Sequence, residues 1–281
     1  MAKYIILYNP LSDNGMGEAH TKILSNILES NDLNLIDITK NCDIKKMIGE
    51  SDPEDTFILS GGDGTLNRFF NDTDTMEIKN EILYYATGSG NDFLMSLGIA
   101  KGNLVPLNPF FGTLPTVTVN ETDRKFINGV GFGFDGYCGE AADALRKKGD
   151  RHISTMGIAV KGLLFRFKPV NATITVDGRI ERFKDVWLAP TMYGRFYNGG
   201  MLPVPDQDRE DGTVSVMVLY HCNRGQALTV FPKLYRGEYI HDENIIRIMK
   251  GHNVTVEFDR PAALQIDGEI IKNITSYSVK L

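Results

Sequence analysis

The 281-residue chain has only three cysteines, Cys42, Cys138 and Cys222, and none stands in a CxxC pair. So scattered and odd a set excludes a disulfide framework and a cysteine zinc site, and it predicts a reducing, cytoplasmic setting. Long apolar runs are also missing. No stretch approaches the roughly eighteen consecutive apolar residues of a membrane span, and the run at Tyr4–Tyr8 is too short for a signal peptide. Positive charge is scarce, with 30 Lys and Arg against 36 Asp and Glu and a formal net charge of −6, which excludes a mainly electrostatic nucleic-acid binder. The five histidines show no HxxxH or Asp-paired spacing, so they are read as surface or satisfied side chains. Internal repeats and low-complexity segments are absent too. With 42% hydrophobic residues, the chain can still bury a substantial core.

What is present begins as strands that alternate with helices. Lys3–Tyr8 is almost continuously apolar, as a buried parallel strand would be, and it empties into Asn9-Pro10 and a polar loop. Ile23, Leu24, Ile27 and Leu28 mark a helix running to about Ser30. Leu35–Ile38 reads as a second strand ending at Thr39, and Asp43–Ile48 as a short helix. A third strand at Phe57–Leu59 runs into Gly61-Gly62-Asp63-Gly64-Thr65, and a helical pattern follows at once. Ile82–Ala86 is a fourth strand, and it also ends in a glycine loop, Gly88-Ser89-Gly90-Asn91-Asp92. Loops gathered after the carboxyl ends of strands describe an open α/β sheet with its ligand crevice on that edge. Near Gly98–Gly112 the periodicity fades, and from there short strands dominate: 116–119, 126–130, 172–176, 186–191, 214–219, 245–249, 254–258, 264–266 and 277–281. Helical inserts at Gly139–Arg166 and Gln226–Tyr239 interrupt them. The expected fold is therefore an α/β N-terminal nucleotide-binding domain, an open and mostly parallel sheet with flanking helices, plus a mainly-β, sandwich-like C-terminal domain with helical inserts. The expected boundaries are 1–111 and 112–281, with an active site in the cleft between the domains.

Residue chemistry narrows the function. Glycines at 61, 62 and 64 let backbone amides approach a ligand closely, and a helix N-terminus favours an anion such as phosphate. A carboxylate at Asp63 would repel phosphate unless a divalent cation lies between them, so the stretch points to nucleotide plus magnesium. A plain strand-to-helix turn is the competing reading, and the second glycine loop with Asn91 and Asp92 weighs against it. In the C-terminal half, Asn128–Gly136 alternates glycine with aromatic and polar residues, which fits either a binding strand or a bulged one. The loop through Asp206, Asp208 and Asp211 has hard oxygen donors suited to magnesium or calcium, with a solvated acidic loop as the alternative. Asp267-Gly268-Glu269 reads as a turn, and either carboxylate could accept a proton from an attacking hydroxyl. Basic residues Arg146, Lys147, Lys148, Arg151, Lys161, Arg166 and Lys168 flank apolar segments, so they form either an amphipathic membrane-facing surface or a solvated helix face.

These stretches, GGDGTLN at 61–67, GSGND at 88–92, NGVGFGFD at 128–135, NGGMLPVP at 198–205 and the DGE turn at 267–269, resemble the diacylglycerol kinase catalytic-domain family of soluble lipid kinases. That family is related to sphingosine kinases and more distantly to NAD kinases and phosphofructokinases. The resemblance implies ATP and Mg2+ as cofactors, a lipid hydroxyl as acceptor with diacylglycerol as the default, transient contact with the inner membrane surface, no nucleic-acid partner, and a homodimer among the partner expectations. It implies that Gly61, Gly62, Asp63, Gly64, Thr65, Leu66 and Asn67 hold the phosphates and their magnesium, with Asn9, Thr39, Ser89 and Asn91 lining the nucleotide site. Asp92 would join Asp63 in the magnesium network, and Glu269 would act as proton acceptor. Asp211, with Asp208 and Thr213, would hold a structural magnesium. Phe132, Phe134, Phe165, Phe196 and Met201 are candidates for an acyl-chain trough. Ala86 and Ser89 depart from the family's usual Pro and Thr, and Asp13 stands where small residues are usual. An NAD kinase-like enzyme with a soluble acceptor and a catalytically silent nucleotide-binding regulator are the alternatives.

Overall fold

In the computed structural model, residues 3–28, 33–148, 155–236, 238 and 242–281 are described. The chain divides into two units, Met1–Leu114 and Pro115–Leu281. The first unit holds a five-stranded sheet in the order β2-β1-β3-β4-β5, built from β1 (Tyr4–Tyr8), β2 (Leu33–Asp37), β3 (Thr56–Gly61), β4 (Ile82–Ala86) and β5 (Leu104–Pro106). All pairs are parallel except β4 with β5, so only the last edge strand runs backwards. β3 is central and buried along its whole length, which explains its unbroken apolar run.

Alternation along the strands assigns the two faces of this sheet. Ile6, Ile58 and Tyr85 point to the side covered by α2 (Gly17–Leu28), where they pack with Leu24. Tyr84, the neighbour of Tyr85, points the other way and meets Phe93 of α5 (Asp92–Ser96) edge-on at 6.1 Å. On α4 (Asp63–Thr73), Phe69 and Phe70 both contact Phe111, at 6.3 and 5.2 Å between ring centres. A single turn, α1 (Ser12–Gly15), and α3 (Ile44–Glu50) complete this unit's helices. Asp43 caps α3 by accepting from the Lys46 N–H at 3.0 Å.

The second unit is an antiparallel assembly whose main path is β13-β12-β11-β8-β14-β15-β6-β7, with β9 joined to β14 and β10 to β9. Its strands are β6 (Thr116–Val119), β7 (Thr122–Lys125), β8 (Gly129–Phe132), β9 (Val170–Val176), β10 (Arg179–Val186), β11 (Thr191–Met192), β12 (Val214–Leu219), β13 (Ile246–Gly251), β14 (Asn253–Ile266) and β15 (Glu269–Lys280). Three differences from the expected strands have physical causes. The segments 254–258 and 264–266 are one long strand, β14, interrupted around Pro261, where the register shifts. β15 begins directly after the Asp267-Gly268 turn rather than at Tyr277. β10 escaped notice because Arg179–Val186 is mostly polar and exposed, leaving little alternation to read.

The helical inserts are α6 (Phe134–Lys147), α7 (Thr155–Lys161) with a π turn at Gly162–Arg166, and α8 (Arg224–Tyr235). They share a core of Phe134, Leu163, Phe167, Trp187, Phe231 and Leu234. Arg224 ties them together, donating to the carbonyls of Leu163 and Phe167 while lying over the Trp187 ring. Of the trough candidates, Phe132, Phe134 and Met201 are core residues, Phe196 is half-buried, and Phe165 is exposed at 77%. Phe132 lies flat against Phe258 at 3.8 Å. Gly149, Arg151 and His152, like Ser30, Tyr239 and His241, lie outside the described residues, as does the Arg146 side chain. No helix among the described residues is long and apolar enough to cross a membrane.

The glycine alternation of 128–136 has a packing origin. A Cβ at Gly136 would lie 1.9 Å from the Ala263 carbonyl, and Gly133 sits at φ +109° with its Cα face against Trp187. Within this stretch Asp135 is buried and accepts from the Tyr197 hydroxyl at 3.1 Å. Burial pushes its carboxyl up to about 6, against a smaller pull downward from the Gly136 N–H and Tyr197. A value raised above the unfolded 3.8 means that the fold prefers the neutral acid. That contribution is complete below about pH 4 and is lost as pH rises through about 6, an effect of about 3 kcal/mol at about 1.4 kcal/mol per tenfold. Asp135→Asn is therefore expected to flatten the pH dependence of melting between pH 4 and 8 and to raise the midpoint at pH 8. An unchanged profile would refute the assignment.

Candidate functional site

The carboxyl ends of β1, β3 and β4 bring three sequence-predicted loops of the first unit together. After β1, Asn9 donates from its N–H to the Ser60 carbonyl at 3.0 Å and from Nδ2 to Thr65 Oγ1 at 2.9 Å. The first loop is thereby tied to the GGDGT turn. Ser12 Oγ lies 2.9 Å from Thr87 Oγ1, which ties the same loop to the end of β4. The two glycine loops touch through bare backbone: a Cβ at Gly88 would come within 2.7 Å of the Gly62 Cα. A Cβ at Gly62 would in turn lie 3.1 Å from the Gly88 Cα, so the close spacing of these loops depends above all on glycine at 88.

Helix α4 starts at Asp63, and the N–H groups of its first turn have no acceptor within the helix. The Asp63 carboxylate reaches across to the next loop, accepting from the backbone N–H of Asp92 at 2.8 Å and of Phe93 at 3.1 Å. It therefore caps α5 from another element and fixes one glycine loop against the other. Leu66, in the same motif, is placed differently from the glycines before it. Its side chain is fully buried and its N–H bonds to the Gly62 carbonyl, so it anchors the helix instead. Asn67 Oδ1 accepts from Asn71 on the next turn at 3.2 Å.

Asn91 sits in the left-handed region at φ +57°, and its Nδ2 donates to the Gly88 carbonyl at 2.7 Å. Its Oδ1 is buried and makes no hydrogen bond among the described residues. A buried acceptor without a donor fits a water carried by a cation, and the Asp63 carboxylate sits against the backbone of Asp92, a second acidic residue. This donor set suits magnesium, which takes one or two protein carboxylates and keeps its waters. No group of three His, Cys, Asp or Glu among the described residues forms an all-protein cage.

Ser89 does not point openly into the loop. Its Oγ donates to Asp13 Oδ1 at 2.8 Å, and Asp13 Oδ2 lies 3.1 Å from His20 Nε2. The Ser89 and His20 hydrogen bonds hold the Asp13 carboxyl below its ordinary range. Asp13 occupies the left-handed region at φ +47°, a conformation that glycine takes without strain. At the end of β2, Thr39 is exposed and donates to Asp37 from both N–H and hydroxyl, at 3.0 and 2.6 Å. An open cavity of about 670 Å³ beside this strand end is bordered by Tyr8, Asp37, Lys40, Cys42, Lys46 and Met47. This cavity leaves no mark in the sequence, because its walls come from three separated segments of mixed polarity.

In the second unit, Asp267 at φ +44° and Gly268 at φ +92° make the two-residue turn between β14 and β15. Asp267, a candidate base, is held by backbone donors. Its carboxylate accepts from the N–H groups of Ile127, Asn128 and Gly129 at 2.6, 2.9 and 3.0 Å, so it anchors the entry to β8. Glu269 is exposed and pairs with Arg124 through both guanidinium nitrogens, at 2.9 and 3.2 Å. Arg124 had escaped notice, being one charge in a polar hairpin. Around the predicted ligands Asp208, Asp211 and Thr213, the Gln207 amide donates to the Asp208 and Thr213 carbonyls, while Asp211 accepts from the Thr213 N–H and pairs with Lys250.

Glycine loops and a helix N-terminus at the carboxyl ends of a mostly parallel sheet, followed by an antiparallel second unit, define the nucleotide-using phosphotransferase class of architecture. Residues 3–109 match the diacylglycerol kinase catalytic domain, and residues 128–278 match the YegS C-terminal NAD kinase beta sandwich-like domain. The chain belongs to the diacylglycerol kinase catalytic-domain family. It is 24% identical over 220 residues to the diacylglycerol kinase of Bacillus subtilis, covering 76% of this chain and 71% of that one. It is 24% identical over 199 residues to the diacylglycerol kinase of Mycobacterium tuberculosis, covering 68% of this chain and 63% of that one, somewhat under two-thirds of the relative's length. A solved diacylglycerol kinase from Bacillus anthracis shares the fold with a TM-score of 0.63 at 20% identity, over 99% of this chain and 93% of that one.

Proposed function

We propose that this protein transfers the γ-phosphoryl group of ATP to a lipid hydroxyl, with diacylglycerol as the acceptor, at the cytoplasmic membrane surface. The observation that carries the reading is the contact of the two glycine loops with Asp63 locking them together. Such an arrangement presents backbone amides to phosphate and carboxylates to a cation in one place, and phosphoryl transfer depends on positioning and charge neutralisation more than on covalent chemistry. Magnesium, when bound, would neutralise charge on the phosphates, and Asp63 and Asp92, with Asn91 Oδ1 behind them, are the residues to hold it. Gly61, Gly62, Gly64 and Thr65 bind phosphate oxygens through main-chain N–H groups. Asn9 keeps the Thr65 hydroxyl in place, and the nucleoside lies toward Thr39 and the cavity beside β2.

In the transfer, the bond between the γ-phosphorus and the acceptor oxygen forms as the bridging bond to the β-phosphate breaks, and ADP leaves. The acceptor proton passes to the Glu269 carboxylate, which must first exchange its Arg124 partner for the hydroxyl. Asp13 works against nucleotide binding, since its carboxylate stands in the first phosphate loop and holds Ser89. Asp13→Gly is expected to lower the KM for ATP about three- to tenfold with kcat little changed, consistent with removing one repulsive contact. Initial rates over an ATP series check this, and a raised KM would contradict it. The proposed reaction is tested by supplying radiolabelled ATP with diacylglycerol vesicles in one arm and soluble alcohols, NAD included, in the other. Label in the chloroform phase supports the reading, and label confined to soluble products overturns it.

A further inference from the structure

The loop before β12 is unusually acidic, with Asp206, Asp208, Glu210 and Asp211 within six residues. Acidity alone does not make a cation site; the donors must face a common point with nothing between them. Here that point is already filled. Gln207 Nε2 donates to the Asp208 carbonyl and to the Thr213 carbonyl, each at 2.9 Å. A primary amide carries two N–H groups on one nitrogen, so a single side chain serves both acceptors. Turned over, the amide would set Oε1 against two carbonyl oxygens, so the chemistry of the neighbours fixes its orientation. Gln207 is only 3% exposed, and a cation reaching these carbonyls would have to expel or invert a buried side chain.

The third expected ligand is taken as well. Asp211 Oδ1 accepts from the Thr213 N–H at 3.0 Å and from its hydroxyl at 2.5 Å, while Oδ2 is paired with the Lys250 ammonium. The sheet brings this lysine there: β12 and β13 pair with Val214 opposite Gly251 and Ser215 opposite Lys250, beside the loop that ends at Thr213. Burial raises the Asp211 carboxyl, but the Lys250 and Thr213 contacts outweigh it and the group lies below its ordinary range. Asp208 Oδ1 accepts from the Glu210 N–H at 2.9 Å, and Arg209 turns away to the Ile127 carbonyl and Asn128 Oδ1.

We propose that the Lys250 ammonium and the Gln207 amide take the place of a divalent cation in the 206–213 loop, so that the second unit holds this loop without metal. The consequence is independent of the kinase reading, and its readout is melting rather than turnover. The full chain is melted in EDTA and again in excess magnesium or calcium, as wild type, Lys250→Met, Asp211→Asn and the double variant. Any cation response of the wild type, such as one from the nucleotide loops, is expected to be the same in Asp211→Asn. Lys250→Met leaves Asp211 without its counter-charge and is expected to gain a response of about 3 °C or more, which the double variant loses. Manganese titration of the wild type and Asp211→Asn, followed by electron paramagnetic resonance, supplies an arm that does not depend on Lys250→Met folding. Equal manganese counts support the proposal. A wild-type site or melting response that Asp211→Asn abolishes overturns it, since the loop would then hold a cation with the Gln207 amide inverted. Lys250→Met gaining no cation response overturns it equally.

Discussion

Asp63→Ala is expected to lower ATP-dependent lipid phosphorylation at least about a hundredfold, the loss typical of removing one preorganised electrostatic group from a reacting centre. Two effects combine in it. The carboxylate nearest the phosphate loop is lost, and the N–H groups of Asp92 and Phe93 lose their acceptor, which frees the GSGND loop from the GGDGT turn. Loss of a cap of this kind costs about 1 kcal/mol, so the variant folds and its rate can be measured. Asp63→Asn separates the two effects. Its side-chain oxygen still accepts one N–H and preserves much of the cap, but its charge is gone. If phosphorylation falls as far in the asparagine variant as in alanine, charge is the working property. If Asp63→Asn keeps the wild-type rate, Asp63 only holds the loops and the cation assignment fails.

The largest expected effect on stability lies in the second unit. Asp267→Ala removes a carboxylate that accepts three backbone N–H groups, and it leaves alanine at φ +44° in a two-residue turn. Orphaned donors and a strained turn together are expected to cost about 3–4 kcal/mol. For a domain of this size that lowers the melting midpoint by about 10 °C. Asp267→Asn, which tolerates the left-handed region and keeps one acceptor, is expected to lose about half as much. Scanning calorimetry gives both values. An Asp267→Ala midpoint within about 2 °C of wild type would show that water replaces the carboxylate and that the turn carries no anchor.

The first unit was legible because its inner strands, β1, β3 and β4, are buried on both faces. A run such as Phe57–Leu59 or Ile82–Ala86 stands out as unbroken apolar sequence, and the glycines that follow mark where backbone meets backbone. The second unit was less so. β14 and β15 are exposed along much of their length and their pairing shifts register near Pro261, so their pattern broke into fragments, and polar β10 left no trace. Motif positions were visible, whereas roles set by distant partners were not. Asp267 anchors residues 127–129 from more than a hundred positions away, Glu269 pairs with Arg124, and Lys250 neutralises Asp211 across a sheet register. None of these pairings leaves a local spacing to read. Leu66 shows the converse, a residue inside a recognised motif whose side chain belongs to the core.

The central claim is the proposal that the glycine loops held by Asp63 transfer phosphate from ATP to a lipid hydroxyl, with Glu269 as the proposed proton acceptor. Its most direct measurement is incorporation of label from γ-radiolabelled ATP into chloroform-soluble product from diacylglycerol vesicles, with wild type, Asp63→Asn and Glu269→Gln compared at equal protein. The account predicts labelled phosphatidic acid from the wild type and at least about a hundredfold less from each variant. Labelled lipid at the wild-type rate from either variant, or none from the wild type in the presence of magnesium, would contradict it.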